Sequence, residues 1–346
     1  MEHTLATKYR PEKFESVLGD SQAIVCKVLQ RQLDTGKLRN CYLFSGDSGC
    51  GKTTIARCFA KSINKGVGAP IEIDGAVNNG VDNVRAIVDS ANQRSLTGEY
   101  KIFIIDECHA ITSAGWQAFL KGLEEAPKYS IFIFCTTEPN KIPDTILSRV
   151  QRYNIPKVAQ PLIMQRLCYI CEQEGFTNYT LACEYISKIA QGSMRAAISY
   201  LEQCSDYDNN LAIENVLKIL GDFSVEVMTR LTNFLIDGDA KSVLTTIEKL
   251  YAEGRDLKHF ISNYLEYLID LNKYIIFKDI AITNIPAYLE TIQDPALNIQ
   301  YVVGIDNASA WFVRLADQIL TLKTMLKNDP SAKATICAYL VKLCRV

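Results

Sequence analysis

An α/β domain built on a parallel five-stranded sheet, followed by helices alone, is the fold class that the sequence predicts. Three observations predict it. Five short apolar runs alternate with helix-spaced segments between residues 41 and 155, a glycine-rich turn joins the first run to a helix, and beyond Pro156 the apolar spacing is helical throughout. Alternation of this kind implies parallel strands covered on both faces, because each crossover helix must lay its apolar stripe on the sheet.

Taken in order, Ile24, Val25, Val28, Leu29 and Leu33 recur at helical spacing between Asp20 and Gly36, with Asp20 or Ser21 as the N-cap and Gly36 as the stop. CYLFS (41–45) reads as a strand, and Lys52–Asn64 as a helix with Ile55, Phe59 and Ile63 on one face. IEID (71–74) is the second strand and Val81–Asn92 the next helix. KIFIID (101–106) is the third strand, followed by a helix over Ala114–Glu125. SIFIFCTT (130–137) and QRYNI (151–155) complete the five. From Pro161 to about Cys204 the pattern is helical, broken at Glu174-Gly175 and Gln191-Gly192, as in a small three-helix unit. Beyond Asp206 helices are expected to the end, in longer segments such as Asp256–Phe277 and Trp311–Leu326. The expected division is an α/β base over 1–158, a helical lid over 159–206 and an all-helical domain over 207–346.

With 346 residues, 48% hydrophobic and 22% charged, the chain has room for two or three domains with a substantial core. Its net charge of -2 means that any nucleic-acid contact must come from a local patch or an assembled channel. The opening MEHTLATKYRP lacks the apolar core of a signal peptide, and no apolar run is long enough to span a bilayer, so a cytoplasmic protein without a membrane partner is expected. The twelve cysteines are scattered through apolar patterns and read as reduced core residues. Cys168 and Cys171 form a lone C-x-x-C with no second pair and no clustered histidines, so no zinc is expected.

The chemistry is concentrated in a few stretches. Gly46–Thr54 reads GDSGCGKTT and fits the phosphate-loop pattern G-x-x-x-x-G-K-[ST] at a strand-to-helix turn. Glycines at 46, 49 and 51 let the backbone amides of Asp47, Ser48, Cys50 and their neighbours through Thr54 wrap phosphate oxygens before the helix N-terminus. Lys52 is expected to reach the β- and γ-phosphates of ATP, and the Thr53 hydroxyl to ligate Mg²⁺. A chance glycine-rich turn is the bland alternative. Asp106 and Glu107 end the third strand, where open α/β sheets bind ligands. Asp106 would hold Mg²⁺, directly or through water, and Glu107 would orient the attacking water; alone, such a pair could be a solvated turn.

The four letters DECH (106–109) are also spelled by helicases. A two-lobed helicase needs a second α/β lobe, and only helices follow residue 160, which leaves ring-forming motors open. In CTTEPNKIPDTILSRV (135–150), Thr136-Thr137 stands at a strand end and Ser148-Arg149 at the tip of a short helix. Arg149 would project from its own nucleotide toward a neighbour's, where a finger arginine stabilises charge on the transferred phosphoryl group. In GSMRAA (192–197), Arg195 in the first turn of a helix is placed to sense the γ-phosphate.

Together these motifs resemble the AAA+ clamp-loader ATPases, and among them the gamma/tau branch of bacterial DNA polymerase III. The likeness runs from KYRPEKFESVLG (8–19) through CYLFSGDSGCGKTTIAR, IIDECHAITSAGWQAFLKGLEEAP and TTEPNKIPDTILSRV to GSMRAA, and is thin beyond residue 206. The resemblance implies an ATPase with an α/β base, a helical lid and an all-α C-terminal collar. Tyr9, Arg10 and Pro11 would then lie near the adenine, Thr137 (or, second choice, Thr136) would be sensor 1, Arg195 sensor 2, and Arg149 a catalytic arginine acting in trans. Val150 stands where the family's Ser-Arg-Cys motif has cysteine. Arg85 is similar to a position that approaches the DNA backbone, and the helix opening at Thr112-Ser113 would offer amides to phosphate.

One departure is large: SINKGVGAPIEID (62–74) crosses directly where the family carries a four-cysteine zinc module. Val346 ends the chain without the long tail of tau forms, which suggests a divergent loader, with a bacteriophage among its conceivable sources. The expected partners are a sliding clamp, primer-template DNA and other loader subunits in a hetero-oligomeric, pentameric spiral holding several copies of this chain. Another AAA+ DNA motor and a nucleotide-binding scaffold with little turnover are the alternatives; intact Lys52, Thr53, Asp106 and Glu107 weigh against the scaffold.

Overall fold

In the computed structural model the five apolar runs form one parallel sheet: β1 (Cys41–Ser45), β2 (Ile71–Asp74), β3 (Lys101–Asp106), β4 (Ser130–Thr136) and β5 (Gln151–Asn154), in the order β2-β3-β4-β1-β5. The structure describes residues 4–124, 127–221, 223–279, 282–283, 285, 304 and 308–344. Register brings the functional strand ends to one edge. Ser45 pairs with Thr136 and with Asn154, and Asp74 pairs with Asp106, so the turns after β1, β3 and β4 leave the sheet side by side, with β4 in the middle.

The period-two alternation of a doubly covered sheet divides its side chains between two cores. Tyr42, Phe44, Ile102, Ile104, Ile131 and Ile133 face α2 (Asp20–Thr35) and α3 (Lys52–Ile63), with Leu29, Ile55 and Phe59 buried against them. Leu43, Phe103, Ile105, Phe132 and Phe134 face α4 (Val81–Ala91) and α5 (Ser113–Glu124) through Val84, Trp116 and Phe119. The rings of Phe119 and Phe134 meet edge to face at 5.5 Å, a geometry favoured by the aromatic quadrupole. A four-residue α1 (Leu5–Lys8) precedes this layer, and α6 (Asp144–Leu147) lies between β4 and β5.

Three helices follow, as the spacing predicts: α7 (Gln160–Glu174), α8 (Tyr179–Ile189) and α9 (Met194–Ser205), packed through Ile163, Leu167, Ile186 and Leu201. Gly175, with φ +73°, supplies the left-handed cap of α7. Residues 207–211 return to this bundle, where Leu211 N–H donates to Thr177 O at 2.9 Å. Met1–Leu211 forms one compact unit and Ala212–Val346 a second.

The second unit is helical in its described residues. It contains α10 (Ile213–Ile219), α11 (Val225–Ile236), α12 (Ala240–Ala252), α13 (Leu257–Phe277), α14 (Ala308–Met325) and α15 (Ala332–Leu343). Asp256 caps α13 by accepting from the amides of Lys258 and His259. Phe260, Leu268, Phe312, Ile319 and Leu340 form its core, while Tyr264 and Tyr267 satisfy their buried hydroxyls on Thr232 and Thr229, both at 2.9 Å.

Boundaries shift by small amounts. The cap of α2 is Gly19, with φ +112°, rather than Asp20 or Ser21, because Asp20 already has helical backbone and Gln22 packs over the glycine to donate to Pro156 O at 2.7 Å. β4 stops at Thr136 and β5 at Asn154, each one residue early, while α5 begins one early at Ser113 and α14 starts three residues before Trp311. The expected end of α5 at Glu125, and the helical readings over 280–281, 284, 286–303, 305–307 and 345–346, lie outside the described residues. All twelve cysteines are free, and burial pushes the Cys41 thiol up to about 12. Among the described residues no helix is long and apolar enough to cross a membrane.

Candidate active site

The loop between β1 and α3 is shaped by its glycines. Gly46 has φ +151°, and a Cβ there would lie 2.0 Å from Ile155 O, in a residue tied to β1 by the bond from Ile155 N–H to Ser45 O at 2.7 Å. Gly49 (φ +73°) is approached by the lid: Met194 N–H donates to Gly49 O at 3.1 Å, and a Cβ would meet Ser193 Oγ at 2.0 Å. Ser193 in turn caps α9 by accepting from Ala196 N–H. Arg195 therefore enters the site on the first turn of α9, within reach of the loop.

Lys52 is 6% exposed, and its Nζ donates to Gly46 O and Asp47 O, both at 2.9 Å. A nearly buried ammonium whose described partners are two neutral carbonyls, at the N-terminus of a helix, is under-compensated; the cradle fits an anion. The Thr53 hydroxyl donates to Asp106 Oδ2 at 2.8 Å, so a hydroxyl and a carboxylate converge as hard oxygen ligands of the kind Mg²⁺ takes. Glu107 sits in left-handed backbone (φ +46°, ψ +41°), a conformation that costs a non-glycine residue ~1–3 kcal/mol and clusters at functional sites. Thr137 Oγ1 donates to Glu107 Oε2 at 3.3 Å. Thr136 is buried, and its hydroxyl accepts Glu138 N–H at 2.9 Å, so of the two threonines it is Thr137 that addresses the acidic pair.

A cavity of about 320 Å³ opens beside these groups. Ser48 to Thr54, Asp106 and Glu107 line it together with Tyr9, Arg10 and Pro11 from the N-terminal segment, Arg195 from α9, and apolar Val17, Leu18, Val158 and Ile198. Gly46 and Asp47 contribute through their carbonyls on Lys52. Cys50 is buried, and loss of hydration raises its thiol pKa, so it is a neutral part of the loop near neutral pH.

Two contributors carry no clear signal in the sequence. Arg166 of α7 lines the cavity and donates from Nη2 to Tyr9 O at 2.7 Å, its guanidinium lying 5.8 Å from the Tyr9 ring and 5.2 Å from the Tyr169 ring. Glu174 accepts from Lys8 at 2.7 Å and from the Tyr9 hydroxyl. Burial, then this carboxylate, pushes Tyr9 up to about 12. Nothing local marks either residue as part of the site, since the partners that tie them to it, Tyr9 and Lys8, are more than 150 residues away along the chain.

The remaining candidates lie apart from the cavity. Arg149 sits in a separate groove with Arg39 and Ser148, its Nη2 on Glu124 Oε1 at 2.6 Å and its Nη1 on Thr145 O at 2.8 Å. Arg85 is exposed on α4, 3.5 Å from Asp82. Thr112 caps α5 by accepting Gly115 N–H at 3.1 Å, and its own amide is taken up by Asn79 O at 3.2 Å; Ser113 is exposed at the helix start. Among the described residues no cluster of three or more His, Cys, Asp or Glu side chains is set to hold a metal ion.

Comparison with known proteins bears on the family and the fold. The family described as DNA polymerase III, delta subunit, matches residues 70–159, and that described as DNA polymerase III subunits gamma and tau domain III matches 211–288, which carries the likeness past residue 206. The tau subunit of DNA polymerase III from Bacillus subtilis is 36% identical over 77% of this chain and 51% of its own length. The gamma subunit from Buchnera aphidicola is 31% identical over 76% of this chain and 78% of its own. The chain spans about half the length of the first curated relatives it matches, as the 50% of the Mycoplasma genitalium gamma/tau subunit also shows. Among solved structures, the Thermotoga maritima RuvB Holliday junction branch migration motor superposes with a TM-score of 0.51 at 17% identity, over 72% of this chain and 86% of that one, a likeness of fold. With the phosphate loop, the acidic pair and the lid arginine assembled in one unit, and with the Buchnera subunit matched over most of its length, this chain belongs to the DNA polymerase III gamma/tau family.

Proposed function

We propose that the chain is an ATP-hydrolysing subunit of a sliding-clamp loader for DNA replication. The observation that carries this reading is the convergence of Lys52, Thr53, Asp106, Glu107 and Arg195 on one cavity in a gamma/tau family member. The triphosphate would lie along the Gly46–Thr54 amides with its base toward Tyr9, Arg10 and Pro11, and Lys52 would exchange its carbonyls for β- and γ-phosphate oxygens. Mg²⁺ held by Thr53 and Asp106 would neutralise charge on the same oxygens. Glu107, braced by Thr137, would orient the attacking water, and Arg195 would report the γ-phosphate to the lid.

Arg149, outside its own cavity, would complete the site of an adjacent subunit, in a hetero-oligomeric, pentameric spiral with several copies of this chain. The division into base (1–158), lid (159–206) and collar (207–346) supplies the parts: ATP-bound bases open the clamp and hold primer-template DNA, and hydrolysis releases both, in a cytoplasmic assembly. A nearly neutral chain can do this when a few donors per subunit, with Arg85 and the Thr112-Ser113 helix start as candidates, add along the phosphate backbone. The test is ATP-dependent retention of a labelled clamp on circular primed DNA by the assembled loader. Retention that needs ATP, and that in Lys52→Ala needs a higher ATP concentration, is expected; retention independent of ATP contradicts the reading.

A further inference from the structure

His109, the last letter of DECH, does not line the cavity, yet it lies directly against Glu107. Its Nδ1 is 3.3 Å from Glu107 Oε2 and 3.2 Å from Thr136 Oγ1, while Nε2 is 3.4 Å from Glu138 Oε1. The left-handed backbone at Glu107 and the short 3₁₀ turn Cys108–Ala110 bring the ring back onto the carboxylate that precedes it. The imidazole is 18% exposed, whereas Glu107 and Glu138 are 42% and 47% exposed, so the ring is the fixed member of the three. The hydrogen bond of the ring is the one with Thr136 Oγ1; its approaches to the two carboxylates are of ion-pair length, and donation to both at once would require protons on both ring nitrogens.

The consequence falls on a single oxygen. The His109 and Thr137 contacts both go to Oε2 of Glu107, and among the described residues Oε1 makes no hydrogen bond. A carboxylate held at one oxygen, by the Thr137 hydrogen bond and the close approach of His109, and open at the other suits a group that must orient water.

We infer that His109 is a positioning residue for hydrolysis: by bridging Glu107 and Glu138 it holds the Glu107 carboxylate so that Oε1 meets the attacking water. The inference rests on the ATPase reading above. In the step it serves, the water oxygen bonds to the γ-phosphorus and the bond from that phosphorus to the β,γ-bridging oxygen breaks. ADP leaves with that oxygen, and the water's proton passes by way of Glu107 to the released phosphate. His109 takes no part in that transfer.

Isosteric variants of the full chain in its assembled complex test this. Asparagine places its amide nitrogen near the position of Nδ1, and glutamine near that of Nε2. His109→Ala and His109→Gln should lower kcat about tenfold or more, as expected when a reacting group is misplaced. His109→Asn, which keeps a donor near Nδ1 but loses the contact with Glu138, should restore part of the rate, and ATP affinity should stay unchanged in all three. Should the alanine variant fold poorly, Glu138→Gln supplies an independent reading, with a fall in kcat but not in affinity. A kcat for His109→Ala equal to that of the parent overturns the inference, as does better rescue by glutamine than by asparagine, or a loss that follows ATP affinity or Tm. Glu107→Gln separates the two levels of argument. If it hydrolyses ATP normally, the reading of the site falls and the inference with it; if it is inactive while His109→Ala is not, only the inference falls.

Discussion

Removing the Lys52 ammonium should weaken ATP binding by an amount that the free protein's own contacts set. Lys52 Nζ already has two acceptors, Gly46 O and Asp47 O at 2.9 Å, so nucleotide does not meet an unpaired ammonium. Binding exchanges two ammonium–carbonyl bonds for two ammonium–phosphate bonds, a gain of about 1–1.5 kcal/mol each when both partners are charged. The sum is roughly 2–3 kcal/mol, and Lys52→Ala should therefore raise the Kd for Mg·ATP about 30- to 150-fold rather than abolish binding at every concentration. The variant also leaves the Gly46 carbonyl short of a donor in the free chain, so a small drop in Tm should accompany it. Titration calorimetry of parent and variant, with thermal unfolding alongside, reads both quantities. An unchanged Kd would refute the assignment of the phosphate loop. A loss beyond about 10⁴-fold with an unaltered Tm would refute the exchange argument while leaving the loop in place.

Other consequences follow from the same structure. Gly46→Ala combines a backbone conformation closed to alanine with a Cβ 2.0 Å from Ile155 O, and should cost about 2–5 kcal/mol, or roughly 5–15 °C in Tm; unfolding at the parent's temperature with normal ATP affinity would contradict it. Arg149→Ala should leave ATP affinity intact and reduce turnover in the assembled complex by about 10³-fold or more, whereas normal turnover there would remove the trans role. Glu174 is held below its ordinary carboxylate value of 4.5, first by its hydrogen bond from Lys8 and then by that from Tyr9. A depressed carboxylate contributes stability above its unfolded pKa and loses it as pH falls through the folded value, so the N-terminal segment should loosen below about pH 4.5. Amide hydrogen exchange over residues 5–10 should show this in the parent and a flat acid response in Glu174→Gln; a fall of equal size in both would break the link.

What the sequence made legible was whatever is written in local pattern. KIFIID and SIFIFCTT are apolar on both faces because both are covered, and GDSGCGKTT can be read because its glycines answer conformational demands within nine residues. The choice of Thr137 over Thr136 follows from the family likeness; in the fold Thr137 Oγ1 donates to Glu107 while the Thr136 hydroxyl accepts Glu138 N–H. The cap at Gly19 was missed because Asp20 and Ser21 are better N-cap residues by type, while tertiary packing of Gln22 on Pro156 decided the local geometry. Arg166 and Glu174 were illegible for a different reason: on α7 they look like ordinary polar positions, and only the fold brings them to Tyr9. His109 was visible as a letter in a motif, but its wedge between two glutamates depends on the left-handed turn at Glu107, which no spacing rule announces.

The most direct test of the central claim is steady-state ATP hydrolysis by the chain assembled with its partner subunits. Closed duplex, single strands and recessed 3′ primer-template DNA would be compared, each with and without a candidate clamp. A clamp loader predicts the largest stimulation with primer-template and clamp together. A rate driven by single-stranded or branched DNA, indifferent to the clamp, would contradict it and point to a DNA motor.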